Sequence, residues 1–191
     1  MTAKQLARTT FSTSRLLDFA SVKELTAQTG HEDGEWPLVI VKELLDNALD
    51  ACEEAGIAPV ITIEVNDGGI LVRDNGPGIP ASTIESVLDF AIRVSSREAY
   101  VGPTRGAQGN ALKTIVAMPF VLDGERGQVE IAARGERHLI AFKVDRVRQE
   151  PVVDHQVLPA DCKTGTEILV RWPNCLPNPD RRDGPFFTNR R

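Results

Sequence analysis

The order of apolar patterns along the 191 residues predicts an α+β chain, a two-layer sandwich whose mixed, mostly antiparallel sheet carries its helices on one face. Three observations lead there. Apolar residues at three- and four-residue spacing dominate early in the chain. Two β-branched runs, 60–65 and 69–74, are joined by Asn66-Asp67-Gly68, a hairpin signal. Four further strand-like runs follow late, at 129–133, 138–144, 152–157 and 167–172.

The first element lies within 11–30, where Leu16, Leu17, Phe19, Val22 and Leu25 keep helical spacing until a polar break at 31–35. Residues 1–35 are therefore expected to form a helical segment that packs on the main domain, over its ligand site or a partner. The main helix spans 36–56, since Pro37 suits a first helical position and Gly56 a C-terminal cap. Leu38, Val41, Leu45, Ala48 and Cys52 form its predicted buried stripe, while Glu43, Asn47 and Asp50, at i, i+4 and i+7, share another face. After the hairpin, whose second strand closes on Asp74, residues 80–88 read as a helix with Ala81 or Ser82 near its cap. Gly106 and Gly109 precede another apolar helix containing Ala111, Leu112, Ile115 and Val116. The main domain is expected over 36–173. Residues 174–191, rich in Pro, Asn, Asp and Arg, have little to bury and read as a tail or a linker cut short.

Composition fits one globular domain, with 41% apolar and 26% charged residues. The 22 basic residues are outnumbered by 27 acidic ones, a formal net charge of −5, which leaves no positive surplus for holding nucleic acid. DNA is thus expected only indirectly, through a larger assembly. Cys52, Cys162 and Cys175 are odd in number and lack zinc-like spacing, which agrees with a reducing, cytoplasmic setting. The first eight residues are polar and no apolar run approaches spanning length, so neither a signal peptide nor a membrane helix is expected.

Four stretches carry chemistry. On the main helix, Glu43 and Asn47 stand one turn apart, so a carboxylate and an amide can serve the same ligand. Alone, this pattern would equally suit an amphipathic helix with a solvated polar face. Downstream comes Asp74-Asn75-Gly76-Pro77-Gly78-Ile79-Pro80. Third, the loop ending Gly106-Ala107-Gln108-Gly109-Asn110 runs into a helix N-terminus, whose open backbone amides favour an anion. Fourth, Lys163-Thr164-Gly165-Thr166 opens the last strand.

Together, in this order, the four stretches resemble the sequence boxes of the GHKL ATPases, the family of gyrase B-type subunits, heat-shock chaperones, histidine kinases and mismatch-repair ATPases. The helix is similar to their Glu-x-x-x-Asn-x-x-Asp box and the second stretch to their Asp-x-Gly-x-Gly box. The resemblance implies a Bergerat fold binding ATP and Mg2+. It implies that Glu43 is the general base acting on the attacking water, that Asn47 holds the magnesium, and that Asp74 accepts from the adenine amino group. Each role suits its side chain's chemistry. Asp50, Gly76, Gly78 and Ile79 are implied to line the nucleotide. Gly106, Gln108, Gly109, Asn110 and Ala111 are implied to wrap the phosphates beneath a lid at 93–104, with Thr166 supporting Asp74 through its hydroxyl. Asn110 departs from the pattern, standing where many members carry a glycine, and Lys113 is either a phosphate ligand or a solvated helix lysine.

Asp50 after the asparagine, the Arg-Gly-x-Gln-Gly lid and Thr13-Ser14-Arg15 resemble the B subunit of type IIB, topoisomerase VI-like, enzymes. A histidine kinase is the poorer match, because His31 lies in a polar loop and His138 and His155 in predicted strands. The B subunits continue into a transducer domain whose lysine touches the γ-phosphate, so the chain is expected to be a fragment or to work with a partner supplying that lysine. The expectation is a Mg·ATP-binding domain that hydrolyses ATP slowly and uses lid closure to form a homodimer or to switch a catalytic partner subunit. The rivals are a nucleotide-gated interaction module without useful turnover and a protein kinase.

Overall fold

The first helix begins at a side-chain cap and ends at a glycine. Ser21 Oγ accepts from the Glu24 amide at 3.3 Å to open α1 (Val22–Thr29), and Gly30, at φ 73°, closes it with its N–H on the Thr26 carbonyl. A 3-10 turn at Asp33–Glu35 leads into α2 (Trp36–Glu54), with Pro37 in its first turn. Beyond α2, Gly56 adopts φ 65°; its amide bonds Glu53 O at 3.1 Å and the Ile57 amide bonds Cys52 O at 2.9 Å, a Schellman closure. The computed structural model describes residues 19–66, 69–90, 111–124, 127–145, 147 and 150–171.

The buried stripe of α2 is rotated from the expected one. Trp36, Val39, Ile40, Leu44, Ala48 and Cys52 are buried, whereas Leu38 is 51% exposed and Val41 and Leu45 are only partly covered. Nearly every residue from 36 to 41 is apolar, so spacing alone admits several registers, and the largest side chain decides. Trp36 is fully buried, with its indole N–H on the His31 carbonyl at 3.0 Å.

The sheet has six strands: β1 (Thr62–Asn66), β2 (Gly69–Arg73), β3 (Gln128–Ala133), β4 (Glu136–Asp145), β5 (Glu150–Pro159) and β6 (Thr166–Arg171). Their order is β1-β2-β6-β3-β4-β5, and every neighbouring pair is antiparallel, so the expected mixed sheet proves wholly antiparallel among the described residues. The expected hairpin forms with Asn66 opposite Gly69. One face presents Ile70, Val72, Val129, Ile131, Ile140, Phe142, Ile168 and Val170 to the core. Helix α2 packs on β2, and α4 (Ala111–Asp123) packs on β3, β4 and β6. Helix α3 (Ala81–Leu88) begins after Pro80 and also touches α4. Helix α1 rests on α4, and Phe19 joins a chain of ring contacts through Phe90 and Phe142 to Phe120. The other sheet face carries an ion-pair lattice, Glu64–Arg73–Glu167–Arg137–Glu130–Arg171. No helix among the described residues is long and apolar enough to cross a membrane.

The position of β6 matters most for the site. The last strand inserts between β2 and β3, with Glu167 opposite Arg73. It thereby brings Thr166 beside Asp74, 92 residues away in sequence.

Candidate functional site

Asp74 follows the last residue of β2, and its carboxylate is half-buried. Its Oδ1 accepts two backbone amides, from Gly76 at 2.8 Å and from Thr166 at 3.1 Å. Burial pushes its pKa above the ordinary aspartate value, while the bonds from Gly76 and Thr166, including the Thr166 hydroxyl, pull the other way. Thr166 supports Asp74 with its backbone as well as its hydroxyl, since the Asp74 amide also donates to Thr166 O at 2.9 Å. The two amides on Oδ1 and the Thr166 hydroxyl leave part of the carboxylate's acceptor capacity, about four lone-pair positions, for a further donor.

Glycines make this approach sterically feasible. Gly165, at φ 74°, donates to Gly76 O at 2.9 Å, and a Cβ on it would meet Asp74 O at 1.9 Å. Gly78, at φ 77°, lies close to Gly165 O. A Cβ on Gly76 would come within 3.4 Å of Cys52 Sγ and 3.7 Å of Ala51 Cβ. The loop therefore rests on α2 at Ala51, which continues the row of Glu43 and Asn47 by four-residue steps. In this way α2, the 74–78 loop and the start of β6 meet.

Asn75 fastens the loop. Its Oδ1 accepts from the Val60 amide at 2.8 Å and from Cys52 Sγ at 3.5 Å, and its Nδ2 donates to Ala58 O at 3.0 Å. Sequence reasoning gave Asn75 no role, although asparagine in a glycine- and proline-rich turn is a signal of side-chain to backbone bonding.

Glu43 is partly buried, and Lys42 Nζ reaches its Oε1 at 3.2 Å and Asp46 Oδ2 at 2.9 Å. Those carboxylates, Asp46 first, hold the Lys42 ammonium above its ordinary pKa. Asn47 and Asp50 are partly buried further along α2, and Ile79 packs against the core. Ala111 opens α4. Lys113 is not a solvated lysine: it is 2% exposed, with Nζ donating to the Asp89 carbonyl at 2.6 Å and lying 6.0 Å from the Phe90 ring centre. Its burial in an apolar helix pushes its pKa down. Gly106, Gln108, Gly109, Asn110 and the 93–104 lid lie outside the described residues.

An antiparallel sheet backed by helices, with a glycine-lined loop folded around a half-buried aspartate, defines a class that the sequence bears out. The chain belongs to the histidine kinase-, DNA gyrase B- and HSP90-like ATPase family, whose profile matches residues 32–173. Its relatives include the Type 2 DNA topoisomerase 6 B subunit of Natronomonas pharaonis, 36% identical over 135 residues, and that of Archaeoglobus fulgidus, 38% identical over 146. The alignments cover 65% and 71% of this chain but only 16% and 24% of those relatives, so it spans a quarter of their length or less.

Proposed function

We propose that this domain binds Mg·ATP in the angle between α2, the 74–78 loop and β6, hydrolyses it slowly, and uses occupancy of the site as a switch. The observation that carries the reading is the Asp74 carboxylate: it is held in place by two amides on Oδ1 and by the Thr166 hydroxyl, and keeps capacity to accept a donor such as the adenine 6-amino group. Adenine offers N–H at that edge, where guanine offers a carbonyl that a carboxylate would repel.

The residues fit a cation that arrives with the nucleotide. Among the described residues no three His, Cys, Asp or Glu side chains converge as metal ligands. Asn47 would hold, through its amide oxygen, a magnesium ion that arrives on the triphosphate and keeps much of its water. When bound, it supplies positive charge against the phosphate oxygens. Glu43 accepts the proton of the attacking water; the water oxygen bonds to the γ-phosphorus as the bond to the bridging oxygen breaks, and ADP leaves with that electron pair. Contacts made only with the triphosphate bias the closed state, and hydrolysis removes them. Both relatives are named as one subunit of a topoisomerase, which supports a partner subunit as the element that is switched. An ATP-dependent homodimer is then the closed form, and DNA is handled by that larger assembly.

A second reading, a nucleotide-gated interaction module without useful turnover, is favoured by one contact. Lys42 Nζ sits 3.2 Å from Glu43 Oε1, so that oxygen already accepts from an ammonium rather than facing a water alone. The two readings part at Glu43→Ala. A general base touches the transition state far more than the bound nucleotide, so the variant should keep ATP affinity while phosphate release falls about 10²–10⁴-fold. Release that is equal in wild type and variant would remove the base role, and no release from either would favour the module.

A further inference from the structure

The tight turn between β3 and β4 contains an outlier. Ala133 pairs with Glu136, so Arg134 and Gly135 are the two central residues, at φ 53° and 87°. Such a turn needs positive φ at both positions, which Asn-Gly meets with least strain. Arg134 is the one non-glycine residue with positive φ among those described. A left-handed conformation held by an ordinary side chain signals a function that outweighs the strain.

The arginine's side chain supplies that function. Its Nε donates to the Gly78 carbonyl at 3.0 Å and, more weakly, to the Pro77 carbonyl at 3.3 Å, and a Cβ on Gly78 would meet its Cγ at 3.1 Å. The turn itself is anchored by the Gly135 amide on Cys162 O at 2.7 Å and the Ala160 amide on Gly135 O at 2.8 Å. Those bonds tie it to the segment that carries Gly165 and Thr166. Arg134 thus extends from the scaffold holding one of Asp74's two amide donors to the loop holding the other.

We propose that Arg134 is a positioning residue for the nucleotide site, its guanidinium fixing the 74–78 loop so that the Gly76 and Thr166 amides meet on one oxygen of Asp74. The proposal rests on the adenine reading of Asp74 only for its effect on ATP. A charged donor on two consecutive carbonyls holds the loop more firmly than neutral bonds would. Without it, the loop is left to the bonds of Asn75 and of Gly165 on Gly76 O, the Gly76 amide is aimed less well, and Asp74 loses part of what keeps it ionised.

Arg134→Asn provides an opposed pair of expectations, because asparagine suits the turn yet cannot reach the loop. In the nucleotide-free chain, followed by carboxyl-carbon NMR, the Asp74 titration midpoint should rise above wild type, while the thermal unfolding midpoint should not fall. Arg134→Lys, which can reach one carbonyl, should give a smaller rise. ATP affinity should fall about ten-fold in Arg134→Asn. An Asp74 midpoint unmoved in both variants overturns the proposal, whatever stability does, and assigns Arg134 to the turn alone. If wild type binds no ATP, the adenine reading fails, yet the Asp74 titration still decides the part played by Arg134.

Discussion

At the scale of single residues, Asp74 governs how the site responds to acid. Burial raises its pKa above the ordinary value, so the folded chain takes up a proton at a pH where the unfolded chain is still ionised. Folding therefore gains stability from this group as pH falls through the raised pKa, the reverse of a salt-bridged aspartate. In the proposed role, nucleotide binding runs the other way, because the ionised carboxylate is the stronger acceptor for the adenine amino N–H. ATP affinity should fall as pH drops, beginning above the range in which an exposed aspartate titrates; calorimetry across the acid range checks this, and a flat profile would speak against the role. Asp74 was legible in the sequence because its glycine-spaced neighbours form a local pattern. Asn75 and Arg134 were not, since their partners at Ala58, Val60, Pro77 and Gly78 are brought within reach only by tertiary packing.

The elements differ in how much strain their junctions tolerate. Gly56 and Gly165 both have positive φ, but a Cβ at Gly56 would meet nothing within 4 Å, whereas at Gly165 it would strike the Asp74 backbone. Gly56→Ala should cost about 1 kcal/mol through conformation alone. Gly165→Ala adds a backbone collision and should cost roughly 1–3 kcal/mol more, with ATP binding lost alongside. Urea unfolding of the two variants makes the comparison, and equal losses would show that β6 does not need its close approach to the loop. The limits of α2 were legible for the same local reason, with Pro37 and Gly56 marking its two ends. The rotation of its buried stripe was not, because the apolar run at its start offers no contrast and Trp36 settles the choice only once it meets its pocket.

Across the whole molecule, a mostly antiparallel sheet with its helical cover followed from the order of patterns, but its wholly antiparallel pairing and its strand order did not. Insertion of β6 between β2 and β3 depends on pairing segments nearly a hundred residues apart, and period-two alternation is silent on which neighbour a strand chooses. That insertion nonetheless builds the site, since it sets Thr166 and Gly165 against Asp74. The proposed function stands or falls on whether this junction recognises adenine through a single half-buried carboxylate. Calorimetric titration of Mg·ATP and Mg·GTP into the wild-type chain and into Asp74→Asn decides it. Wild type should prefer ATP by about ten-fold or more, and Asp74→Asn should weaken ATP binding by roughly 1–3 kcal/mol, narrowing the gap. Equal affinity of wild type for the two nucleotides, or unchanged ATP affinity in Asp74→Asn, would refute adenine recognition by Asp74.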